Sequence, residues 1–291
     1  GQLAPDFVPL NVSINAVLAR PDGSSPPLIG VDDGTVGRIA ITGALGGDLG
    51  EAYQFDAEVS SLDTPFLVAD SVTLRAAGAA EGLRNPNARL VTFTIEGDAG
   101  GREQSGSGVA DASGDACSLR ANGSWSAGNP VNVERADLRT TTFATRFAGT
   151  VGDGLDGSYQ LRADNLSAFS ALAGRALSGT ISLDAAGSVG FDGLLDLRFD
   201  GAAQDLALGT PADSLFAGRL QLGGRAARSA EGVSFDAFRL SGDSISMAAN
   251  GALTTGEANL RAALQLANVG DLREGVSGPV TVQLSATGAA A

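Results

Sequence analysis

The residue types that carry most enzymatic chemistry are missing from this sequence. The 291-residue chain contains no histidine and no lysine, so all 19 of its basic residues are arginines. Without histidine the chain cannot form a Ser-His-Asp or Cys-His nucleophilic system or the usual zinc sites. Without lysine, Schiff-base catalysis and the phosphate-binding P-loop are excluded too. Carboxylates are plentiful, but the sequence does not show two of them facing each other across a cleft. We therefore predict no enzymatic activity, no cofactor and no metal site.

Two glycine-rich strings come closest to a ligand-binding motif. Residues 42–50 begin with the Thr-Gly of a nucleotide-binding turn, but Leu49 stands where that pattern needs glycine, and no helical pattern follows. Residues 152–157 have the Gly and Asp content of a calcium-binding β-roll, but such rolls need tandem copies and this string occurs once. Both strings predict a strand and a turn.

Composition limits the partners and the architecture. The 33 acidic residues give a net charge of −14, which disfavours nucleic acid and anionic membrane surfaces. Only 5% of the residues are aromatic while 41 are glycine, as suits a thin, stacked β architecture with many tight turns. The single cysteine, Cys117, is predicted to be a small buried side chain in a strand. Cysteine poverty fits a bacterial protein that crosses a membrane.

Apolar residues alternate with polar ones in runs along the whole chain. Such runs start near residues 8, 53, 91, 195, 245, 260 and 280. Successive side chains of a strand point to opposite faces, so each run predicts a strand with one apolar and one wet face. Helix-length stretches between the runs are absent from the sequence, which favours a mainly antiparallel sheet over a parallel one.

Breaks between these runs predict turns, two long loops and one or two short helices. The long loops are expected at residues 20–37 and 97–115. A short helix should follow a cap at Asp164 or Asn165, with Leu166, Phe169 and Leu172 on one side. A second helical turn is expected from about residue 210, where proline stands in the first position.

A weak repeat marks the C-terminal half. The pattern of residues 177–183 returns 39 residues later at 216–222 and again at 276–282. A hairpin-sized unit of about forty residues indicates strands stacked along one direction. We expect residues 1–291 to be one repetitive β segment of a longer protein.

From about Tyr159 onward the sequence resembles the TamB family of the AsmA-like superfamily, the translocation and assembly module subunits of Gram-negative bacteria. The resemblance is carried by residues 161–166, the short helix after them, and residues 177–183, 206–209, 216–218 and 250–253. It implies an elongated sheet bent into a U-shaped (β-taco-like) groove, in a periplasmic protein anchored in the inner membrane by segments outside this sequence. It also implies a conduit that shields phospholipid or other acyl chains, supports outer-membrane assembly and works with a TamA-like barrel partner.

The apolar side of the alternating runs must be buried against something, which could be a second sheet, a partner or a lipid. If it is lipid, twelve residues in four runs are expected to contact acyl chains: Val91, Phe93, Ile95, Leu195, Leu197, Phe199, Leu260, Leu264, Leu266, Val280, Val282 and Leu284. The structural alternative is a closed sandwich or solenoid whose inner face packs on itself. The functional alternative is a surface-exposed adhesin or autotransporter passenger of the β-solenoid type.

Overall fold

The computed structural model describes residues 2–3, 9–19, 29–31, 34–46, 51–63, 68–101, 112, 114–272 and 275–289. It divides into two compact units, residues 1–151 and 152–291. The predicted loop at 20–37 lies largely outside the described residues, but one strand, Ile29–Val31, lies inside the predicted range and another begins within it at Gly34. Much of the loop at 97–115 also lies outside them, and its first four residues belong to a strand that ends at Gly100. No helix in the described part of the chain is long and apolar enough to cross a membrane.

The first unit is an antiparallel sheet. Its strands are β1 (Gln2–Leu3), β2 (Pro9–Leu18), β3 (Ile29–Val31), β4 (Gly34–Gly46), β5 (Ala52–Asp63), β6 (Val68–Glu81), β7 (Leu90–Gly100), β8 (Cys117–Ser126), β9 (Val131–Thr140) and β10 (Phe143–Val151). Strands β4 to β10 form a meander in which each pairs antiparallel with the next, while β2 and β3 both pair with β4. A single 3-10 turn, Pro86–Ala88, is described in this unit.

The second unit is a regular meander. Its strands are β11 (Gly154–Ala163), β12 (Ser178–Gly190), β13 (Leu195–Ala207), β14 (Arg219–Ser229), β15 (Gly232–Ser241), β16 (Ile245–Thr254), β17 (Ala258–Leu266) and β18 (Val280–Gly288). Each strand pairs antiparallel with the next. The described residues include no pairing between β11 and β18, so the sheet of this unit is open. The predicted all-β, antiparallel fold class is confirmed.

The predicted helix is present as a 3-10 turn, Leu166–Phe169, that continues into α1 (Ser170–Ala173). Asn165 is the residue that caps it, because its Oδ1 accepts a hydrogen bond from the Ser167 N–H at 3.0 Å. Gly174 ends it with a left-handed φ of 64°, a conformation that favours glycine. The second predicted turn begins at Asp213 rather than near residue 210, and spans Asp213–Phe216.

The sequence repeat has a structural counterpart in the second unit. Each of its three copies begins at or shortly after a helical turn and runs into β12, β14 or β18. The glycine at the third position of each copy, Gly179, Gly218 or Gly278, has a positive φ of 100°, 75° or 114°. The repeat therefore encodes one local device, a helical turn followed by a glycine that turns the chain back into the sheet.

Candidate functional site

Strand register places the apolar side chains of the second unit on one face. Leu197 lies opposite Gly187 on β12 and Ala226 on β14, and residues paired across antiparallel strands share a face. Applied from β11 to β18, the pairing defines the apolar face of the second unit. Its larger side chains include Leu155, Tyr159, Leu161, Leu183, Val189, Leu195, Leu197, Phe199, Leu222, Phe235, Phe238, Met247, Leu253, Leu260, Val282 and Leu284. The exception is Arg228, which pairs with Leu195 at one margin.

The same rule gives the first unit an apolar face of its own. Phe93 on β7 lies between two glycines, Gly78 on β6 and Gly123 on β8. Its neighbours Val91 and Ile95 stand on the same face and pair with Ala80 and Ala76 on β6. A Cβ atom added at Gly123 would lie 2.8 Å from the Phe93 ring, so the glycine makes room for the aromatic side chain. The first unit therefore has the one-sided pattern that the sequence shows more clearly in the second.

One end of the apolar face in the second unit is covered by protein. The turn Asp213–Phe216 places Leu215 and Phe216 against a buried cluster on the sheet. That cluster contains Leu220, which is only 1% exposed, together with Ala203, Ile245 and Leu266. Among the predicted lipid-contact residues, Leu266 is buried in this cluster, and Leu264 and Val280 pack against it. These three side chains consequently contact protein at the covered end.

The rest of that face is open to solvent among the described residues. Phe235, Leu253 and Leu260 are 43%, 45% and 36% exposed, and Leu284 on β18 is 63% exposed. Leu195, Leu197 and Phe199 are half-buried on β13.

The predicted set of lipid-contact residues missed Phe235 and Leu253. A β-bulge at Ala237, which has a φ of 49°, shifts the alternation so that Phe235 and Phe238 share a face. Their three-residue spacing was the signal in the sequence.

The opposite faces of both sheets are polar and carry ordered charge pairs. In the first unit, register aligns a row of alternating sign, formed by Asp56, Arg75, Glu96, Arg120 and Asp137 on five successive strands. Hydrogen bonds donated by the guanidinium groups of Arg135 and Arg146 hold the pKa of the Asp137 carboxyl below its usual range. In the second unit an Arg225–Asp196 ion pair lowers the pKa of Asp196. These charged side chains keep one face of each sheet hydrated.

The sequence strings tested for chemistry have structural roles. Thr42 and Gly43 lie inside β4, with Gly43 opposite Phe55. Residues 152–157 form the start of β11 and the turn before it. Cys117 begins β8 and is half-buried, less buried than predicted. Within the described ranges, no group of three or more carboxylate or thiol side chains is arranged to hold a metal ion.

No protein-family model matches the chain, and no curated protein or solved structure matches it. The candidate site therefore rests on its own geometry, an apolar sheet face with one covered end and one open stretch.

The carboxylate of Asp213 fixes the segment that covers the apolar face. It accepts hydrogen bonds from the backbone N–H groups of Leu208, Gly209 and Thr210 at 3.0, 3.0 and 3.2 Å. The hydrogen bond donated by the Leu208 backbone N–H is the largest of the influences that lower the pKa of the Asp213 carboxyl. A carboxyl with a lowered pKa stabilises the folded state above its unfolded pKa of about 3.9, and this contribution is lost as the pH falls through the lower folded value.

We expect Asp213→Asn to lower the melting temperature at pH 7, with the difference from the wild type shrinking as the pH falls below about 4. Thermal unfolding followed by circular dichroism between pH 7 and pH 2 measures this. Asp164→Asn is the control, because exposed Asp164 makes no hydrogen bond or ion pair with another described residue. A difference that stays constant over this pH range would contradict the role assigned to the Asp213 carboxylate.

Proposed function

We propose that the apolar faces bind lipid acyl chains, and that the chain acts as a segment of a periplasmic lipid conduit between the inner and outer membranes. The observation that carries this proposal is the open stretch of the apolar face in the second unit. Four large apolar side chains lie on four adjacent strands of this stretch: Phe235, Leu253, Leu260 and Leu284. Among the described residues they remain between 36% and 63% exposed to solvent. Contiguous exposed apolar surface of this kind is typical of a binding site.

An acyl chain is the ligand whose chemistry fits such a surface. It needs no hydrogen bonds, and its transfer from water is worth about 0.8 kcal/mol per buried CH₂. Four strands at about 4.8 Å spacing present roughly 15 Å of apolar surface across the strand direction. The small neighbours of the large side chains, such as Gly187 and Ala226 beside Leu197, leave room for a chain to lie against them.

The polar faces support the same function. Charged Asp, Glu and Arg side chains keep the polar side of each sheet in water, so lipid would be held on one side only. The net charge of −14 opposes adsorption to anionic bilayers, which suits a protein that takes up acyl chains without spreading on a membrane. An inner-membrane anchor, a TamA-like barrel partner and support of outer-membrane protein assembly belong to this proposal through the family resemblance alone.

The pairing of the strands favours the conduit over the adhesin alternative. A β-solenoid passenger is built from parallel coils, whereas every strand pairing in the described part of the chain is antiparallel.

Lipid uptake by the purified chain tests the proposal. The chain is incubated with vesicles of phosphatidylethanolamine and phosphatidylglycerol, separated from them by flotation, extracted with organic solvent and analysed by mass spectrometry. We expect phospholipid in the vesicle-free protein fraction, in amounts that scale with the protein. A protein fraction without phospholipid would contradict the proposal.

A further inference from the structure

A depression of about 590 Å³ opens on the second unit across β15–β18. Most of its lining residues carry their side chains on the polar face, opposite the apolar face described above. The lining also includes Phe238, Ala249, Ala262 and Leu284, which alternate with them along the same strands and whose side chains belong to the apolar face. Its rim carries two arginines, Arg239 and Arg261, and three uncharged hydrogen-bonding side chains, Asn250, Gln283 and Ser285. No carboxylate lines it, although acidic residues outnumber arginines 33 to 19 in the chain.

Register explains why the surface is hollow at this place. One row across the four strands reads Arg239, Ala248, Ala263 and Gln283. The adjacent row on the same face contains Asn250, Arg261 and Ser285. The two alanines stand between longer side chains and form a low floor. The β-bulge at Ala237, which also lines the depression, bends β15 at its margin.

The two guanidinium groups can converge above this floor. Arg239 and Arg261 lie two strands apart, or about 10 Å in the pairing direction, which their extended side chains can bridge from both sides. Neither forms an ion pair with another described residue. Guanidinium groups bind phosphate through two parallel N–H···O bonds, while Asn, Gln and Ser side chains donate to and accept from hydroxyl groups.

We propose that this depression, named here the arginine depression, binds a phosphate ester that also carries hydroxyl groups. Arg239 and Arg261 hold the phosphate over the floor formed by the two alanines. The side chains of Asn250, Gln283 and Ser285 form hydrogen bonds with the hydroxyl groups. The site is on the polar face and does not depend on acyl-chain binding. The same chemistry is offered by a soluble polyol phosphate and by the headgroup of a phospholipid.

NMR titration of the full chain with glycerol 3-phosphate tests the site. We expect the side-chain Nε–Hε signals of Arg239 and Arg261 to shift together and saturate. Arg239→Gln and Arg261→Gln should each weaken binding about tenfold, since each removes a charge-assisted contact. Arg219→Gln, which removes the same charge from the same face outside the depression, should leave the affinity unchanged.

A second variant separates a shaped site from diffuse attraction between arginine and phosphate. Ala263→Leu fills the floor without changing any charge, and it should abolish saturable binding while the circular dichroism spectrum stays unchanged. Shifts that do not saturate, equal weakening by Arg219→Gln, or undiminished binding to Ala263→Leu would each overturn the proposal.

A parallel titration with phosphatidylglycerol vesicles distinguishes the two sources of the phosphate. Shifts of both arginine signals by vesicles as well as by glycerol 3-phosphate assign the site to lipid headgroups too. Shifts by glycerol 3-phosphate alone assign it to soluble phosphate esters. Lipid uptake by the apolar face is scored separately, so failure of either proposal leaves the other standing.

Discussion

Replacing Leu220 with alanine is expected to destabilise the second unit by about 2–5 kcal/mol. Leu220 is 1% exposed and packs in the cluster that the turn Asp213–Phe216 covers. The truncation removes buried methyl groups and leaves a cavity among Ala203, Ile245 and Leu266, because the paired strands around it cannot collapse into the space. The loss in the free energy of unfolding is measured by urea unfolding, with hydrogen exchange of the β13, β14 and β16 amides as the probe.

Leu253→Ala is the matched control for this truncation. Leu253 is on the same apolar face but 45% exposed, so its truncation should cost about 1 kcal/mol or less. The contrast separates the covered end, where the sheet face acts as a core, from the open stretch, where it does not. Equal losses for the two variants would show that the covered end is not a packed core.

Placing a carboxylate at Leu197 should leave the fold intact and remove lipid binding. Leu197 is half-buried beside Gly187 and Ala226, so an aspartate there can stay hydrated on an open face. We expect a loss of stability of about 1–2 kcal/mol, whereas burying an unpaired carboxylate in a closed core costs several. Acyl chains would then meet a charge in their path, and lipid capture should fall by about tenfold or more.

Arg198→Asp is the control for this substitution, because Arg198 is the next residue of β13 and faces the polar side. It should leave lipid capture near the wild-type level. Thermal unfolding and capture of a photo-crosslinkable lipid are measured for both variants. An unfolded Leu197→Asp protein would indicate a closed core, and a folded one with undiminished capture would contradict the lipid-binding proposal.

Period-two alternation was enough to predict the sheet, because each strand has one wet face and one apolar face. Residues 195–200 show this most plainly, and their strand, β13, has the predicted faces. The cap at Asn165 was also readable, because an Asx side chain before an apolar helical turn makes a local hydrogen bond. Local chemistry determines both features.

The parts that could not be predicted depend on long-range packing. Bulges at Asp205 and Ala237 place non-glycine residues at positive φ and shift the side-chain phase. Period-two alternation does not predict them, although the three-residue spacing of Phe235 and Phe238 is a trace of the second one in the sequence. Leu215 is one apolar residue in a turn, yet it closes one end of the face by packing on strands far along the chain. The arginine depression likewise depends on strand register, because pairing places Ala248 beside Ala263.

We propose that lipid lies on the apolar face and not on the polar one. The most direct test places the photo-crosslinking amino acid benzoylphenylalanine at neighbouring positions of one strand, Leu253 and Ala252 of β16, which face opposite sides of the sheet. After irradiation with vesicles of phosphatidylethanolamine and phosphatidylglycerol, we expect the intact mass to show phospholipid adducts at position 253 and none at position 252. Equal adducts at both positions, or none at position 253, would contradict the account.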